Sequence, residues 1–395
     1  MRILMVNALC GSRGTGRMVG ELAKDTADEK HGCIVKIGYG REKVPDMYNR
    51  YAVPIGNEKT VNRHGSVNRM LDRSGFGSKK PTKDFIDWVK RFEPDVIHLH
   101  SLHGYYVHIG ELMKYCRNAE KPIIMTVHDD WAFSGHSSYC ALIDCEKWKT
   151  GCGRCPLKSS YPAALIDRSK SNFKRKKSLF SGLQNCKVVT PSHWMEKRVK
   201  ESFLGAYDVS VIAPGIDTAV FHPGTSDLKE TLGISGRTMV LGVASGFDEL
   251  RGLDDYKKLS EMLGPDYSVV LVGVSAFKQK LLPEGMIGKT RPATEEELAD
   301  YYRAADVFVN FSYYEPYSLV NAESVASGTP VISYDTGGAG ESAGSHARMI
   351  ETGDYRKAFE LIKAGDYEAS DISEVHTRKE TSESYKKLYG MEISE

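Results

Sequence analysis

Two glutamates eight residues apart, Glu315 and Glu323, have the residue type and spacing of a site for an anionic, hydroxyl-rich ligand. A predicted strand ends near Asn310, Glu315 follows in a loop, and a predicted helix starts near Leu319. The first N–H groups of that helix, those of Leu319 and Val320, have no partner within the helix and suit a pyrophosphate. Because a carboxylate can accept two hydroxyl hydrogen bonds, Glu315 suits a sugar and Glu323 a ribose. The alternative is two exposed surface glutamates, which this order of strand, loop and helix disfavours.

A histidine with two aspartates follows a buried strand in the first half of the chain. His128 comes directly after the predicted strand and precedes Asp129 and Asp130. Ligands of open parallel sheets gather at the carboxyl ends of the strands, so all three side chains are site candidates. The alternative for His128 is a purely structural histidine.

A glycine-containing loop follows the first strand and opens a helix. Gly14, Gly16 and Arg17 would let the backbone approach a phosphate or an acceptor. A dinucleotide site is disfavoured, because the glycine order is not the one that such sites use. The second predicted strand, 33–38, also ends without the acidic residue that a ribose would require.

Four of the eight cysteines lie within sixteen residues and have partly regular spacing. A disulfide scaffold is not expected in a reducing compartment. A tetrahedral structural zinc site is one interpretation, and a disulfide or free thiols are the other. Such a zinc would have no open position for chemistry. The residues are Cys140, Cys145, Cys152 and Cys155.

The charge is unevenly distributed, although the net charge is only +1. Residues 1–205 hold 35 Lys and Arg against 21 Asp and Glu. The basic stretch 168–180 is either a solvated helix face or a patch that attracts anionic lipid headgroups or a lipid diphosphate. No nucleic-acid recognition motif accompanies it. Without a signal peptide or an apolar run of about 18 residues, a cytoplasmic chain is expected, in contact with the inner face of the membrane if the patch binds lipid.

Short apolar runs alternate with amphipathic stretches, and the series restarts after the middle of the chain. With 41% apolar and 27% charged residues, the composition is that of a globular protein and excludes wholesale disorder. The alternation predicts an α/β protein with two doubly wound Rossmann-like domains facing a cleft. The expected boundaries are 1–205, 206–375, and a final helix in 376–395 that packs back on the first domain.

The stretch from Ser312 to Pro330 resembles the donor-site motif of retaining glycosyltransferases with the GT-B fold, and most closely that of family 4. The resemblance covers nearly the whole chain, and the segment around the cysteines resembles a bacterial capsule, O-antigen and exopolysaccharide subgroup. It is carried by the opening glycine loop, His98-Leu-His100, Thr126-Val-His128-Asp129, Thr190-Pro-Ser192, Gly215-Ile-Asp217, Phe221-His-Pro223 and the glutamate motif.

The resemblance implies a retaining, metal-independent hexosyltransferase that moves a sugar from a nucleotide sugar to an acceptor hydroxyl. The first domain would bind a carbohydrate or lipid-linked sugar acceptor, and the second would bind the donor. His128 and Glu315 would hold the donor sugar and Glu323 the ribose, while Asp129 or Asp130 would orient the acceptor. The phosphate end would be lined by Arg251, Tyr317, Ser318, Leu319 and Val320.

Two short segments depart from the family pattern, at four positions. Tyr317 and Ser318 stand where the family usually has Phe-Gly, and Gly246 and Arg251 stand where it has an Arg and a Lys that neutralise the diphosphate. Because of Gly246 and Arg251, a donor-binding protein that has lost activity is an alternative to the transferase. A nucleotide-sugar 2-epimerase is a second alternative, because such enzymes share the same fold.

Overall fold

The computed structural model describes residues 1–391 and divides the chain into two compact units. Unit 1 consists of Met1–Ile212 and the segment from Ser382 onwards, and unit 2 of Ala213–Thr381. Each unit is built on its own parallel sheet with helices. The predicted α/β class with two doubly wound Rossmann-like domains is confirmed.

The sheet of unit 1 has seven parallel strands in the order β3-β2-β1-β4-β5-β6-β7. In chain order its elements are β1 Arg2–Val6, α1 Arg13–Thr26, β2 Ile34–Tyr39, β3 Ala52–Pro54, α2 Glu58–Leu71, α3 Lys79–Phe92, β4 Val96–Leu99, α4 Ile109–Ala119, β5 Ile123–Thr126, α5 Ser169–Phe180, β6 Cys186–Thr190, α6 His193–Glu201 and β7 Asp208–Val211. Single 3-10 turns lie at Asp46–Tyr48, Asp130–Ala132, Cys140–Ile143, Lys147–Lys149 and Phe203–Ala206.

The central strands β1, β4 and β5 of this sheet are buried on both faces, which explains their nearly continuous apolar sequences. In β1, Leu4 and Val6 belong to one core cluster, while Ile3 and Met5 belong to the cluster on the opposite face. The strand order places the loops after β2, β1, β4 and β5 side by side at one edge of the sheet. These loops carry the candidate residues of the first half of the chain.

The sheet of unit 2 has six parallel strands in the order β10-β9-β8-β11-β12-β13. Its elements are α7 Leu228–Thr231, β8 Thr238–Val243, α8 Leu253–Leu263, β9 Tyr267–Val272, α9 Ala276–Gln279, β10 Met286–Lys289, α10 Glu295–Ala304, β11 Val307–Asn310, α11 Leu319–Ala326, β12 Val331–Tyr334, β13 Arg348–Ile350 and α12 Tyr355–Ala364. Single 3-10 turns lie at Glu249–Arg251, Gly340–Ser342 and Ile372–Glu374.

The last helix, α13 (Arg378–Tyr389), ends in the core of unit 1. The hydroxyl of Tyr389 lies 2.7 Å from Nδ1 of His98 in β4, and that of Tyr385 lies 3.0 Å from the hydroxyl of Thr126 in β5. Both tyrosines are almost fully buried. The C-terminal tyrosines are therefore part of one face of the unit 1 core. Across residues 1–391, no helix combines the length and the apolar character that a membrane crossing requires.

Candidate active site

Glu315 lies in the loop after β11 and is paired with Arg251. The carboxylate is only 7% exposed. The Arg251 guanidinium donates a hydrogen bond to Oε1 of Glu315 and another, of 3.2 Å, to the Ser312 hydroxyl. Burial raises the pKa of Glu315, and the charge of Arg251 opposes that rise. An acid and a cation from different loops thus meet at the carboxyl end of β11.

A glycine next to Arg251 allows this close approach. Arg251 ends a 3-10 turn that Asp248 caps, because the Asp248 carboxylate accepts the Arg251 N–H at 3.1 Å. Gly252 follows with φ of +66°, and a Cβ there would lie 2.4 Å from the carbonyl oxygen of Phe311. Only glycine satisfies both conditions. Gly246, in contrast, is exposed with nothing within 4 Å of a Cβ, so its lack of a side chain is not a packing requirement.

The N-terminus of α11 is organised by Ser318. Its hydroxyl caps the helix by accepting the Asn321 N–H at 3.3 Å, and it also accepts a hydrogen bond of 3.1 Å from the Asn310 amide. The Ser318 N–H itself donates to the hydroxyl of Ser342 at 3.3 Å. The serine that replaces the usual glycine is therefore a helix cap. Leu319 and Val320 contribute the first two N–H groups of the helix and are half-buried, as is Tyr317.

Glu323 lies in α11 beneath this helix start and is 1% exposed. The hydroxyl of Tyr302, in α10, donates a 2.9 Å hydrogen bond to Oε2 of Glu323. Tyr302 lies twenty-one residues away in sequence, so residue spacing gave no signal for it. This contact fixes the orientation of the Glu323 carboxylate.

Three histidines form a row in unit 1 at the ends of β4 and β5. The rings of His98 and His100 are 3.9 Å apart between centroids, and those of His100 and His128 are 5.4 Å apart and stacked. Nδ1 of His100 lies 3.1 Å from Nε2 of His128. Burial lowers the pKa of His128 to about 4 and holds that of His100 well below its usual range. These imidazoles are therefore neutral near pH 7 and can bind hydroxyl groups as neutral donors or acceptors.

Asp129 pairs with a histidine that sequence reasoning missed, His103. Nε2 of His103 lies 2.9 Å from Oδ2 of Asp129, and its Nδ1 lies 3.0 Å from the Tyr161 hydroxyl. Burial alone would raise the pKa of Asp129, but His103 lowers it overall. His103 precedes a glycine in a loop, a weak sequence signal. The pair faces a small pocket lined by His100, Ser101, Leu102, His103, Met125, Thr126, Val127, His128, Asp129, Trp131, Ala132 and Phe180.

Asp130 lies outside that pocket and is fully buried. Its Oδ1 accepts a 2.9 Å hydrogen bond from Nε of Arg198, and its Oδ2 accepts the Cys140 N–H at 2.8 Å. Burial raises the pKa of Asp130 to about 6, and Arg198 opposes that rise. The carboxylate joins three separate segments, so it has a structural role and is not available to orient an acceptor.

The glycine loop at the start of α1 is held by acidic and apolar neighbours. Glu42 lies 2.7 Å from Nε of Arg13. A Cβ at Gly16 would lie 2.6 Å from that of Leu9, whereas Gly14 has open space around it. Only Gly16 is thus required for packing, and Arg17 on the same helix is half-buried. None of these residues lines the histidine pocket.

The four clustered cysteines lie in the long connection between β5 and α5 and form no disulfide. Cys140 is buried and Cys145, Cys152 and Cys155 are half-buried. The Gly135 N–H donates to Sγ of Cys152 at 3.2 Å. Within residues 1–391, no group of three or more His, Cys, Asp or Glu side chains is arranged to hold a metal ion. Zinc at these cysteines stays a prediction.

The basic stretch 168–180 forms helix α5 and has two different faces. Lys176 is buried, donates a 2.6 Å hydrogen bond to the Trp131 carbonyl, and lies 3.5 Å from the centre of the Trp131 ring. Lys170, Lys174 and Lys177 are exposed. The solvent-facing charge of the helix therefore excludes Lys176.

Comparison with known proteins assigns both halves of the chain. Residues 12–220 match the family model described as "Glycosyltransferase Family 4", and residues 229–364 match the one described as "Glycosyl transferases group 1". An Escherichia coli K12 protein described as a colanic acid biosynthesis glycosyl transferase is 25% identical over 348 residues, covering 84% of this chain and 82% of its own length. A D-inositol 3-phosphate glycosyltransferase of Nocardiopsis dassonvillei is 33% identical over 165 residues, covering 36% of this chain and 38% of its own length.

Solved structures share the fold at low sequence identity. A sucrose-phosphate synthase from Thermosynechococcus elongatus has a TM-score of 0.65 at 16% identity, covering 98% of this chain and 94% of its own. The Anabaena protein HepE, solved in complex with UDP and glucose, has a TM-score of 0.63 at 14% identity, covering 98% and 95%. The predicted resemblance is thereby confirmed. The chain is a glycosyltransferase of the GT-B fold and belongs to glycosyltransferase family 4.

Proposed function

We propose that this glycosyltransferase moves a hexose from a nucleotide sugar to a hydroxyl of a saccharide or lipid-linked saccharide during polysaccharide or glycoconjugate synthesis, with retention at the anomeric carbon. The pairing of buried Glu315 with Arg251 at the carboxyl end of β11 carries the proposal. The colanic acid relative and the UDP complex of HepE support the acceptor and donor classes. The matched families are both transferases, which favours transfer over epimerisation.

Unit 2 binds the donor in this proposal. The diphosphate meets the free N–H groups of Leu319 and Val320, where the helix dipole favours negative charge. Arg251 lies close to the donor sugar because its guanidinium contacts Glu315. Glu323, oriented by Tyr302, accepts hydrogen bonds from the ribose. Tyr317 flanks the phosphate end and Ser318 supports it as the helix cap.

Unit 1 binds the acceptor. His128 is neutral and half-buried, so it can orient a sugar hydroxyl without adding charge. Asp129, held by His103, accepts a hydrogen bond from the acceptor hydroxyl. These residues supply positioning, which is the largest part of the catalysis when the leaving diphosphate itself takes the acceptor proton.

The leaving group needs stabilisation of two negative charges. Arg251 and the amides at the start of α11 provide positive charge from this chain alone, which supports transfer without a catalytic metal. The planar guanidinium can donate two hydrogen bonds to phosphate oxygens in a bidentate arrangement. Gly246 lies at the position of the missing second cation, in open space.

The exposed lysines of α5 support a contact with the inner face of an anionic membrane. Such a contact would bring unit 1 to a lipid-linked acceptor.

The test is a screen of the full chain with UDP-, GDP-, ADP- and dTDP-hexoses, measuring nucleotide release and the anomeric configuration of the product by NMR. At least one donor should be hydrolysed or transferred with retention, and Glu315→Gln should reduce the rate at least a hundredfold. Glu284→Gln, an exposed glutamate of the same unit, is the control and should keep the wild-type rate. Unchanged turnover in Glu315→Gln would overturn the site assignment.

The same screen separates the alternatives. An epimer formed from a nucleotide sugar alone would indicate an epimerase. Calorimetric binding of a donor without turnover would indicate a binding protein, the alternative that Gly246 motivates.

A further inference from the structure

An arginine with no role in the proposed reaction, Arg41, lies at the ligand-binding edge of the unit 1 sheet. It follows β2, and its N–H donates to the Ala8 carbonyl at 3.0 Å. A Cβ built on Gly104, in the loop after β4, would lie 3.3 Å from Cδ of Arg41 and 3.8 Å from its Nη1. The half-buried side chain therefore lies along the loop that also carries His103.

Among residues 1–391, the Arg41 guanidinium has no counterion. The adjacent acid, Glu42, is paired with Arg13 at 2.7 Å. Over residues 1–391 the Arg41 side chain makes no hydrogen bond or ion pair. A half-buried cation without a partner has given up part of its hydration with no compensating contact. An anionic ligand would provide that contact.

Three half-buried tyrosines form an aromatic cluster in the same region. The ring of Tyr161 lies 6.1 Å from that of Tyr105 and 6.4 Å from that of Tyr139, between centroids. Burial raises the pKa values of Tyr105 and Tyr161, and the charge of Arg41 opposes the rise in both. The guanidinium therefore lies within electrostatic reach of both rings. Tyr105 also has a φ of +68°, a strained conformation typical of functional sites.

The cluster adjoins the acidic pair of the pocket. The Tyr161 hydroxyl lies 3.0 Å from Nδ1 of His103, whose other nitrogen contacts Asp129. The loop after β4 thus brings together a cation, aromatic rings and a carboxylate. Aromatic faces suit the apolar side of a sugar ring, a guanidinium suits a carboxylate or phosphate, and a carboxylate suits a hydroxyl.

We propose that Arg41, Tyr105, Tyr139 and Tyr161 form an acceptor subsite that selects a saccharide carrying an anionic group. The inference rests on the proposed function, because it places the acceptor hydroxyl at Asp129. Arg41 is the specificity-determining residue, and the tyrosines bind the sugar ring. The anionic group is a carboxylate or a phosphate, which share this recognition chemistry.

The test measures binding to the full chain of four probes by saturation-transfer NMR and calorimetry. Octyl glucuronide is compared with octyl glucoside, and glucose 6-phosphate with glucose. At least one anionic probe should bind about tenfold more tightly than its neutral partner, and Arg41→Met should abolish that preference. Arg41→Lys should keep part of it. The control Arg63→Met, at an exposed arginine of α2, should keep all of it.

Two results would overturn the inference. One is equal binding of the anionic and neutral probes by the wild type, including no detectable binding of any of them. The other is a preference that survives in Arg41→Met. A Tyr105→Leu variant should weaken the binding of octyl glucuronide and of octyl glucoside alike. Comparing the glucuronide pair with the glucose 6-phosphate pair shows whether the site binds a carboxylate or a phosphate.

Failure of this inference is distinguishable from failure of the proposed function. Donor hydrolysis by the wild type without acceptor tests the proposed function on its own, because no acceptor takes part in it. If the wild type hydrolyses and transfers no nucleotide sugar, the proposed function fails, whatever the probes show.

Discussion

The Arg251 guanidinium and the buried Glu315 carboxylate form an ion pair at the start of the donor-site loop. Each side chain is therefore positioned by the other, and neither is an independent contact to a ligand. In the proposed function, both stability and turnover depend on this one contact.

Removing the Arg251 side chain should therefore lower both the stability of the fold and the rate of donor hydrolysis. Arg251→Met leaves a carboxylate buried without its cation, and we expect a loss of about 2 kcal/mol in the free energy of unfolding of unit 2. Donor hydrolysis should fall by about a hundredfold or more. Because the pKa of Glu315 is already raised by burial and Arg251 opposes the rise, it should rise further in the variant.

The pH dependence of this variant has a definite sign. A carboxylate whose folded pKa exceeds its unfolded value destabilises the fold increasingly as pH rises above the unfolded value. The deficit in Tm of Arg251→Met relative to wild type should be larger at pH 8 than at pH 5. A deficit that does not change with pH would contradict this account of Glu315.

Substitutions of Asp129 and Asp130 should have different effects, the first mainly on acceptor transfer and the second mainly on stability. Asp130→Ala removes a partner of half-buried Arg198 and should cost about 3 kcal/mol of stability. Asp129→Asn keeps an oxygen that can accept the Trp131 N–H, so it should cost less stability than Asp130→Ala, and it should lower acceptor transfer. Urea unfolding followed by tryptophan fluorescence measures the first effect, since all four tryptophans lie in unit 1. Similar losses in both variants would contradict the division of roles.

The ionisation of Asp130 should also make the stability of the fold depend on pH. Its folded pKa of about 6 lies above the ordinary value of 3.8, so its contribution to stability falls as pH rises between these values. Asp130→Asn should lack this contribution. Urea titrations of wild type and variant at pH 4.5 and pH 6.5 provide the comparison.

His128 should act as a neutral group. With a pKa of about 4, it does not change charge between pH 5.5 and 8, and kcat/KM should show no inflection from it in that range. His128→Ala should lower kcat/KM by about a hundredfold. An inflection near pH 6.5 that disappears in His128→Ala would show that this imidazole titrates normally.

Helix α5 should bind anionic vesicles through its exposed face. The triple variant Lys170→Gln, Lys174→Gln, Lys177→Gln should lose about 3 kcal/mol of binding to phosphatidylglycerol vesicles, from about 1 kcal/mol per lysine. Sedimentation with these vesicles and with phosphatidylcholine vesicles measures it. The control is the triple variant Lys258→Gln, Lys357→Gln, Lys363→Gln, at exposed lysines of α8 and α12. Equal binding to both lipids would contradict the proposed contact.

The architecture was predictable because it depends on local patterns. Buried parallel strands such as β4 and β5 need nearly continuous apolar residues, and that pattern is visible in the sequence. The Glu315 and Glu323 positions were likewise local, since both flank one helix start. Arg251 was also identifiable as a candidate from the sequence. The need for glycine at position 252, where the chain approaches Phe311 closely, was not.

Partners distant in sequence were not predictable. Asp130 was expected near an acceptor, but Arg198 and the Cys140 N–H occupy it. Tyr302 reaches Glu323, and His103 reaches Asp129, only after the chain has folded. Lys176 belongs to a basic stretch in sequence and to the core in space. Residue types set the candidates, while tertiary packing decides which remain accessible.

The two C-terminal tyrosines have a consequence for dissecting the chain. Tyr389 contacts His98, and the ring of His98 packs against that of His100, which contacts His128. A fragment cut at Ile212 would remove the hydroxyl next to His98 and leave a hole beneath the imidazole row. An autonomous first half therefore needs its distant tail restored, for instance by circular permutation that joins the segment from Ser382 directly to the amino terminus.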